Sequence, residues 1–266
     1  MSESGQADPH IHSLASDGVS SVSQILDAAE LAGLDVIAIT DHERIDAGLA
    51  ARAIAAARGL RVQVVLGEEI TTRGGHLLAL FIEERIRPWS SLRHSVAEVH
   101  AQGGLAIVAH PLVPYPLCAS GRSIRRLTRD PDPRYRPDGV EAFNSTTASM
   151  RWGRQAPELV AELGLAGLGS SDAHRAADVG RAVTLFPGSS PDDLRRAILE
   201  RTTSWQGEPY GWGGQLATFR RQLAKNATAL RDDARGVVLR DGTGRDLGYP
   251  GGRRRPARLD ESELGP

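Results

Sequence analysis

From residue 8 to about residue 205 the chain alternates short apolar runs with amphipathic stretches that close on glycine, the pattern of successive βα units. The runs are His10 to His12, Val36 to Thr40, Val62 to Leu66, His76 to Phe81, Leu105 to Ala109, Val140 to Phe143 and Ala166 to Gly169. Helix signals lie between them. Ser21 with Gln24 three residues on is an N-terminal capping box, and its apolar stripe ends at Gly33. Ala47 to Arg58 closes on Gly59, Ser91 to Gln102 on Gly103, and Ser190 followed by Pro191 and Asp193 opens a helix to about Glu200. Six or seven strands in strict alternation with helices predict a barrel related to the TIM architecture, somewhat shorter than its typical ~250 residues. The competing open doubly wound sheet lacks support, because no glycine fingerprint follows the first strand.

Two segments break the rhythm. Residues 112–137 are rich in Pro and Arg and sit between two strands, where a long loop is usually functional. After Trp205 the pattern decays: Gln215 to Arg231 reads as one polar helix and Asp241 to Pro266 as unstructured chain. The expected organisation is a disordered start over 1–6, a domain over 7–205 carrying the 112–137 insertion on its substrate side, and a C-terminal extension over 206–266.

Composition narrows the class. With 40% hydrophobic residues the chain can bury a core, and no apolar run approaches the ~18 residues of a membrane span. The first ten residues lack the basic and apolar regions of a signal peptide, so a cytoplasmic enzyme or binding protein that does not touch membrane is the default expectation. One cysteine, Cys118, excludes an internal disulfide framework and a Cys-rich zinc site, so any metal must be held by His and carboxylates. Net charge is -1, with 11 basic and 7 acidic residues from Arg220 onward. The tail is mildly basic, yet its charges are mixed in sign and carry no aromatic stacking platform, which reads as a solvated tail.

The histidines carry the chemistry. Six of eight, His10, His12, His42, His76, His110 and His174, lie in or beside expected strands, where a parallel α/β fold gathers residues distant in sequence. His10 and His12 share a strand face and can chelate one ion, and Asp8 shares that face. Asp17 lies in a loop able to fold back over the same strand end. Asp41 stands beside His42, Glu68 and Glu69 follow Gly67, and Asp172 and His174 form a second i, i+2 pair. His94 and His100, on a helix, match no strand end, and Cys118 has no base to pair with.

The series Asp8-x-His10-x-His12, Ser16-Asp17-Gly18, Thr40-Asp41-His42, Gly67-x-Glu69, Gly75-His76, Ala109-His110-Pro111, Val140-Glu141-x-Phe143-Asn144 and Ser171-Asp172-Ala173-His174 resembles the PHP (polymerase and histidinol phosphatase) superfamily of metal-dependent phosphoesterases, over about residues 7 to 205. Pro9 departs from the leucine common there. The resemblance implies a distorted (β/α)7 barrel with two or three divalent ions, manganese, zinc or iron. It implies that His10, His12, Glu69 and Asp172 hold one ion, that Glu69 bridges to a second held also by His76 and His110, and that Asp17, His42 and His174 hold a third. The Gly-x-Glu spacing selects Glu69 over Glu68. Asp41 and Glu141 are then expected to orient ligand imidazoles through hydrogen bonds.

Clustered ions joined by a carboxylate turn a bridging water into hydroxide and neutralise charge on the group attacked. Three dications set against three carboxylates and one hydroxide leave a charge of roughly +2, which a phosphate monoester dianion matches. The expected reaction is therefore hydrolysis of a phosphate monoester, in a nucleotide, another phosphorylated metabolite or an oligonucleotide end, with Asp172, Glu69 and His174 as the catalytic groups. Arg73, Arg122, Arg125 and Arg151 are candidate substrate contacts. Two alternatives stand. Gly67-Glu68-Glu69-Ile70-Thr71-Thr72 followed by Gly75-His76 also resembles a superfamily branch that hydrolyses carboxyl esters or carbamates. A non-catalytic metal-binding module is the other, although every ligand position is filled by a competent residue.

Overall fold

The structure, a computed structural model, describes residues 4–114 and 117–210. Nine strands form one sheet: β1 (Ser4–Ile11), β2 (Val36–Ile39), β3 (Gln63–Thr72), β4 (Gly75–Leu80), β5 (Leu105–Val108), β6 (Gly139–Asn144), β7 (Ala166–Ser170), β8 (Ala182–Pro187) and β9 (Ser204–Gly207). Their order is β7-β6-β5-β4-β3-β2-β1-β8-β9. The two ends of this order nearly meet. Thr184 Oγ1 donates to the Gly169 carbonyl (2.8 Å), Thr203 Oγ1 donates to the Gly167 carbonyl (2.8 Å), and Trp205 lies against both glycines, its ring over Gly167 and its Cβ over Gly169. A Cβ on Gly167 would stand 2.4 Å from Trp205 Cζ3, so glycine at this position is what allows the sheet to curl into a barrel.

Seven α-helices pack outside: α1 (Val22–Leu31), α2 (Asp46–Arg58), α3 (Leu92–Ala101), α4 (Gly121–Thr128), α5 (Thr147–Trp152), α6 (Ala156–Leu163) and α7 (Pro191–Glu200). Their ends follow the sequence signals. Both capping boxes, Ser21 with Gln24 and Ser190 with Asp193, are formed, and Gly59 closes α2 in the left-handed conformation at φ 62°.

Strand alternation divides the core into an inner and an outer layer. In β4, Leu78 and Leu80 join Ile107, Leu168 and Phe186, while Leu77 and Ala79 join Val96 and Val99 of α3. Burying each such Leu, Ile or Phe contributes roughly 1.5–3 kcal/mol. Because His76 has the parity of Leu78, the same alternation that builds this core carries its imidazole to the inner face.

The architecture departs from the expected organisation in five places. β3 and β4 are an antiparallel hairpin turning at Arg73 and Gly74, with no helix between them, and β4 is antiparallel to β5 as well. β8 and β9 are additional antiparallel strands; β9, with sequence SWQG and mostly exposed, has no apolar alternation to announce it. The expected disordered start is corrected from Ser4 onward, because Ser4 to Ala7 pair with β8. The 112–137 segment, expected as loop, carries α4 and a short 3-10 turn at Pro133–Tyr135. The ordered domain also continues past Trp205, since Tyr210 is hydrogen-bonded to Ser145 and Ser171. The helix expected at Gln215 to Arg231 and the unstructured Asp241 to Pro266 lie outside the described residues.

Neighbouring Glu68 and Glu69 take opposite faces of β3. Glu68 is fully buried away from the histidines, accepts one hydrogen bond from Ile86 N (2.5 Å), and has its pKa pushed up by burial to about 8. Its carboxyl is therefore mostly neutral at pH 7. Since the folded value lies above the ordinary 4.5, the folded state holds a proton that the unfolded state has lost, and stability falls as pH rises between those values. Glu68→Gln removes this dependence. Thermal melting is expected to show the wild type losing stability relative to the variant from about pH 5 toward pH 8; parallel curves across that range would contradict the burial argument.

Candidate metal centre

All six strand-associated histidines meet at one end of the barrel, around Glu69. This carboxylate is 1% exposed, and its two oxygens face five imidazoles: His10 Nε2 at 3.2 Å, His12 Nε2 at 3.3 Å and His42 Nδ1 at 3.4 Å from Oε2, His76 Nδ1 at 2.8 Å and His110 Nε2 at 2.9 Å from Oε1.

The geometry fits cations. His10 Nε2 and His12 Nε2 are 3.0 Å apart, and Asp172 Oδ1 lies 3.5 and 3.3 Å from them. Ligand atoms around a tetrahedral ion bound at ~2.0–2.2 Å stand roughly 3.3–3.6 Å apart, so these atoms with Glu69 Oε2 already outline a coordination shell. Beside it, Glu69 Oε1, His76 Nδ1 and His110 Nε2 form a second group, the two nitrogens 3.4 Å apart. Asp17 Oδ2 lies 3.2 Å from His174 Nε2 and 3.7 Å from His42 Nε2, forming a third. His42 Nδ1, the ring nitrogen that faces Glu69, is buried without a hydrogen bond, so that side of the ring is open to a cation.

Local backbone supplies the aim. Ala109 packs in the inner layer, so plain alternation would send His110 outward; a left-handed turn at His110, φ 22°, brings its ring back to the centre. Asp172 is likewise left-handed at φ 53°. Such conformations cost about 1–3 kcal/mol each and persist only where surroundings enforce them. His110 N donates to Glu141 Oε2 (2.5 Å), Ser171 N donates to Asp8 Oδ1 (3.0 Å), and Tyr210 Oη donates to the Ser171 carbonyl (2.5 Å).

Of the residues expected to orient imidazoles, Glu141 does so directly, its Oε1 2.8 Å from His10 Nδ1. Asp41 does so at one remove. It accepts from Ser13 N (2.8 Å), Ser13 Oγ (2.6 Å) and Ser16 Oγ, and Ser16 Oγ lies 3.3 Å from His12 Nδ1. Asp8 does not join the centre despite its shared parity: its oxygens are taken by Ser171 and Gly180 N, and β1 shifts register between Asp8 and Ile11. Burial pushes its pKa up to about 6.

The candidate arginines do not converge. Arg73 lines a separate surface cleft with Arg93 and Tyr135, Arg122 is exposed on α4, and Arg125 Nη2 is 2.6 Å from Glu162 Oε2. Arg151 lies over the Trp152 ring, 5.5 Å from its centroid. Sequence reasoning missed Ser16, Tyr210 and the placement of Cys118, whose Sγ lies 3.4 Å from His110 Nδ1. A serine beside Asp17 was a visible signal; Tyr210 and Cys118 gave none.

A barrel-like α/β fold with a buried histidine and carboxylate centre at its strand ends defines a metal-dependent hydrolase class. Sequence comparison agrees: residues 8–111 match the PHP domain and residues 151–203 the PHP-associated region. The chain belongs to the PHP domain family. It is 36% identical over 152 residues to an uncharacterized protein of Methanocaldococcus jannaschii, covering 53% of this chain and 82% of that one. It is 39% identical over 77 residues to a 5'-3' exoribonuclease of Haemophilus influenzae, a match that spans 27% of each chain. The crystal structure of a two-domain protein from Bacteroides vulgatus, described as containing a predicted PHP-like metal-dependent phosphoesterase, superposes with a TM-score of 0.65 at 20% identity, over 78% of this chain and 66% of that one. Among the described residues no helix is long and apolar enough to cross a membrane.

The carboxylates and imidazoles of the centre shift one another's ionisation. Burial opposes ionisation of Asp17, Glu69 and Asp172, but the facing imidazoles hold all three below the ordinary carboxylate range. Burial likewise opposes protonation of His10 and His12, yet the surrounding carboxylates raise both, His12 to about 10. Burial lowers His42. Protons thus occupy nitrogens whose lone pairs a cation needs, and affinity falls as pH is lowered. Titration of metal-free protein with manganese or zinc at pH 7 is expected to load two or more equivalents and release at least one proton on entry of the first ion. Calorimetric enthalpies independent of the buffer's ionisation heat would contradict this.

Proposed function

We propose that this protein hydrolyses a phosphate monoester, on a nucleotide or at an oligonucleotide end, with two or three divalent ions of manganese, zinc or iron at the Glu69 centre. The observation that carries the reading is the arrangement of five imidazoles around one buried carboxylate, flanked by Asp17, Asp172 and His174. In this reading His10, His12, Glu69 and Asp172 hold one ion, Glu69 with His76 and His110 a second, and Asp17, His42 and His174 a third. Imidazole-rich shells favour transition metals over magnesium or calcium.

The bound cations supply Lewis acidity and an acidified water. The chain's own groups set the geometry. Glu141 engages His10 Nδ1, which leaves Nε2 turned to the centre, and Asn144 Nδ2 donates to Asp172 Oδ2 (3.3 Å), which leaves Oδ1 facing the two histidines. Glu69 and Asp172, held ionised, contribute charge and position. Attack of water on phosphorus breaks the ester P–O bond; the water gives up one proton and the leaving oxygen gains one, so no co-reactant is required. With Arg125 committed to Glu162 and Arg73 in another cleft, the phosphate charge falls to the cations, which suits a dianion better than a neutral ester. The name of the Haemophilus relative supports a nucleic-acid end as substrate, over the 27% of the chain the two share.

Manganese-loaded protein is expected to release phosphate from nucleoside monophosphates or 5'-phosphorylated oligonucleotides. Hydrolysis of an aryl carboxyl ester with no phosphate release would overturn the reading. Glu69→Gln, which disturbs two ions, is expected to lower kcat/KM by more than about 100-fold, beyond the range for losing an outer hydrogen-bond partner. His76→Ala, which touches one, should cost less. Equal, mild losses in both would mean that Glu69 does not bridge.

A further inference from the structure

Immediately beside His110 lies a cleft of about 310 Å³, at the lower end of small-molecule sites and large enough for one ring system with its substituents. Its walls are apolar: Val113, Pro114 and Cys118 on one side, Ala148 and Trp152 on the other. The hydroxyls at its edge turn to the protein, Thr146 Oγ1 donating to Asn144 Oδ1 (2.7 Å) and lying 2.8 Å from Ser149 Oγ. Trp152 is 47% exposed, a large aromatic face left uncovered in a chain with four tryptophans. An exposed Trp in a concave apolar wall is an unsatisfied packing surface, unlike a lone surface apolar residue.

The cleft is continuous with the centre and fixed to it. His110 presents Nε2 to Glu69 and Nδ1 to Cys118 Sγ, so a single imidazole forms both the edge of the metal centre and the mouth of the cleft. The Cys118 wall is tied down by Leu112 N donating to the Ala119 carbonyl (2.9 Å) and His76 N to the Leu117 carbonyl (2.8 Å). The opposite wall is α5, whose N-cap Thr146 is held by Asn144, the residue that also bonds Asp172.

We infer that this cleft is the leaving-group subsite, and that it selects esters whose alcohol carries a flat aromatic ring, stacked on Trp152. The inference rests on the phosphoester reading: a phosphoryl group seated beside His110 directs its ester substituent into the cleft. A ring presents apolar faces to Trp152, Val113 and Ala148, whereas a polyhydroxylated or linear alcohol would leave its hydroxyls unpaired against these walls. The Arg151 guanidinium lies over the same indole at 5.5 Å from its centroid.

The test uses full-length manganese-loaded protein with 1-naphthyl phosphate, a nucleoside monophosphate and glycerol 1-phosphate. Trp152→Ala is expected to raise KM for the two aromatic esters roughly tenfold, within the range for loss of one aromatic stack, with KM for glycerol 1-phosphate unchanged and Trp152→Phe restoring most of the loss. Occupancy can also be read without turnover, because Cys118 is the sole cysteine of the chain. 1-Naphthylmethylphosphonate is expected to slow alkylation of Cys118 by iodoacetamide several-fold in the wild type, and not in Trp152→Ala. Equal KM changes for all three esters, or alkylation that the phosphonate leaves unaltered, would overturn the subsite. If the wild type releases phosphate from none of the esters, the phosphoester reading itself fails, whereas turnover without ring selectivity refutes the subsite alone.

Discussion

The fold is organised around a buried carboxylate that water does not solvate. Glu69 lies in the barrel mouth with five imidazoles at 2.8–3.4 Å, contributed by β1 and the turn after it, the segment after β2, the start of β4 and the turn after β5. An isolated ion in that setting is prohibitively costly, so the surrounding nitrogens must supply positive charge, as protons or as cations. Other features of the mouth serve this requirement. The left-handed turns at His110 and Asp172, the Glu141 clamp on His10 and the Asp8 tie to Ser171 keep donors aimed inward where an unconstrained chain would relax outward.

The antiparallel elements are part of the same solution. A purely parallel barrel places loops, rather than strand interiors, at its carboxyl end. Reversing direction at Arg73 and Gly74 lets β4 begin at the mouth, so His76 is held by a strand ladder, with Thr71 as its register partner. β8 and β9 then complete the wall on the other side of β1, where a mostly polar strand and one tryptophan lying on two glycines nearly close the sheet.

Much of this was legible in the sequence. The histidine-bearing strands and the capped helices follow from alternation and capping chemistry, and the family resemblance points to Glu69 rather than Glu68. What escaped reading has a common physical origin. β9 is stabilised by the strand it pairs with and by Trp205 packing, so its own residues need no apolar period. Cys118 and Trp152 line one cleft although they are 34 residues apart in the chain, a proximity that no local pattern encodes. Asp8 shows the converse: its parity was right, but an irregularity in β1 and two nearby backbone donors claimed it for the frame.

The separations along the chain between facing groups differ widely. Glu69 and His76 are seven residues apart across a hairpin, while Asp17 and His174, 3.2 Å apart, are separated by 157. Bringing the second pair together costs roughly 3 kcal/mol more loop-closure entropy than the first. A cation held by Asp17 and His174 would therefore join the first and last thirds of the barrel like a clasp. The two pairs are unequal in their effect on folding: the hairpin pair can form locally, and the clasp forms only when the ring of strands has already come round upon itself.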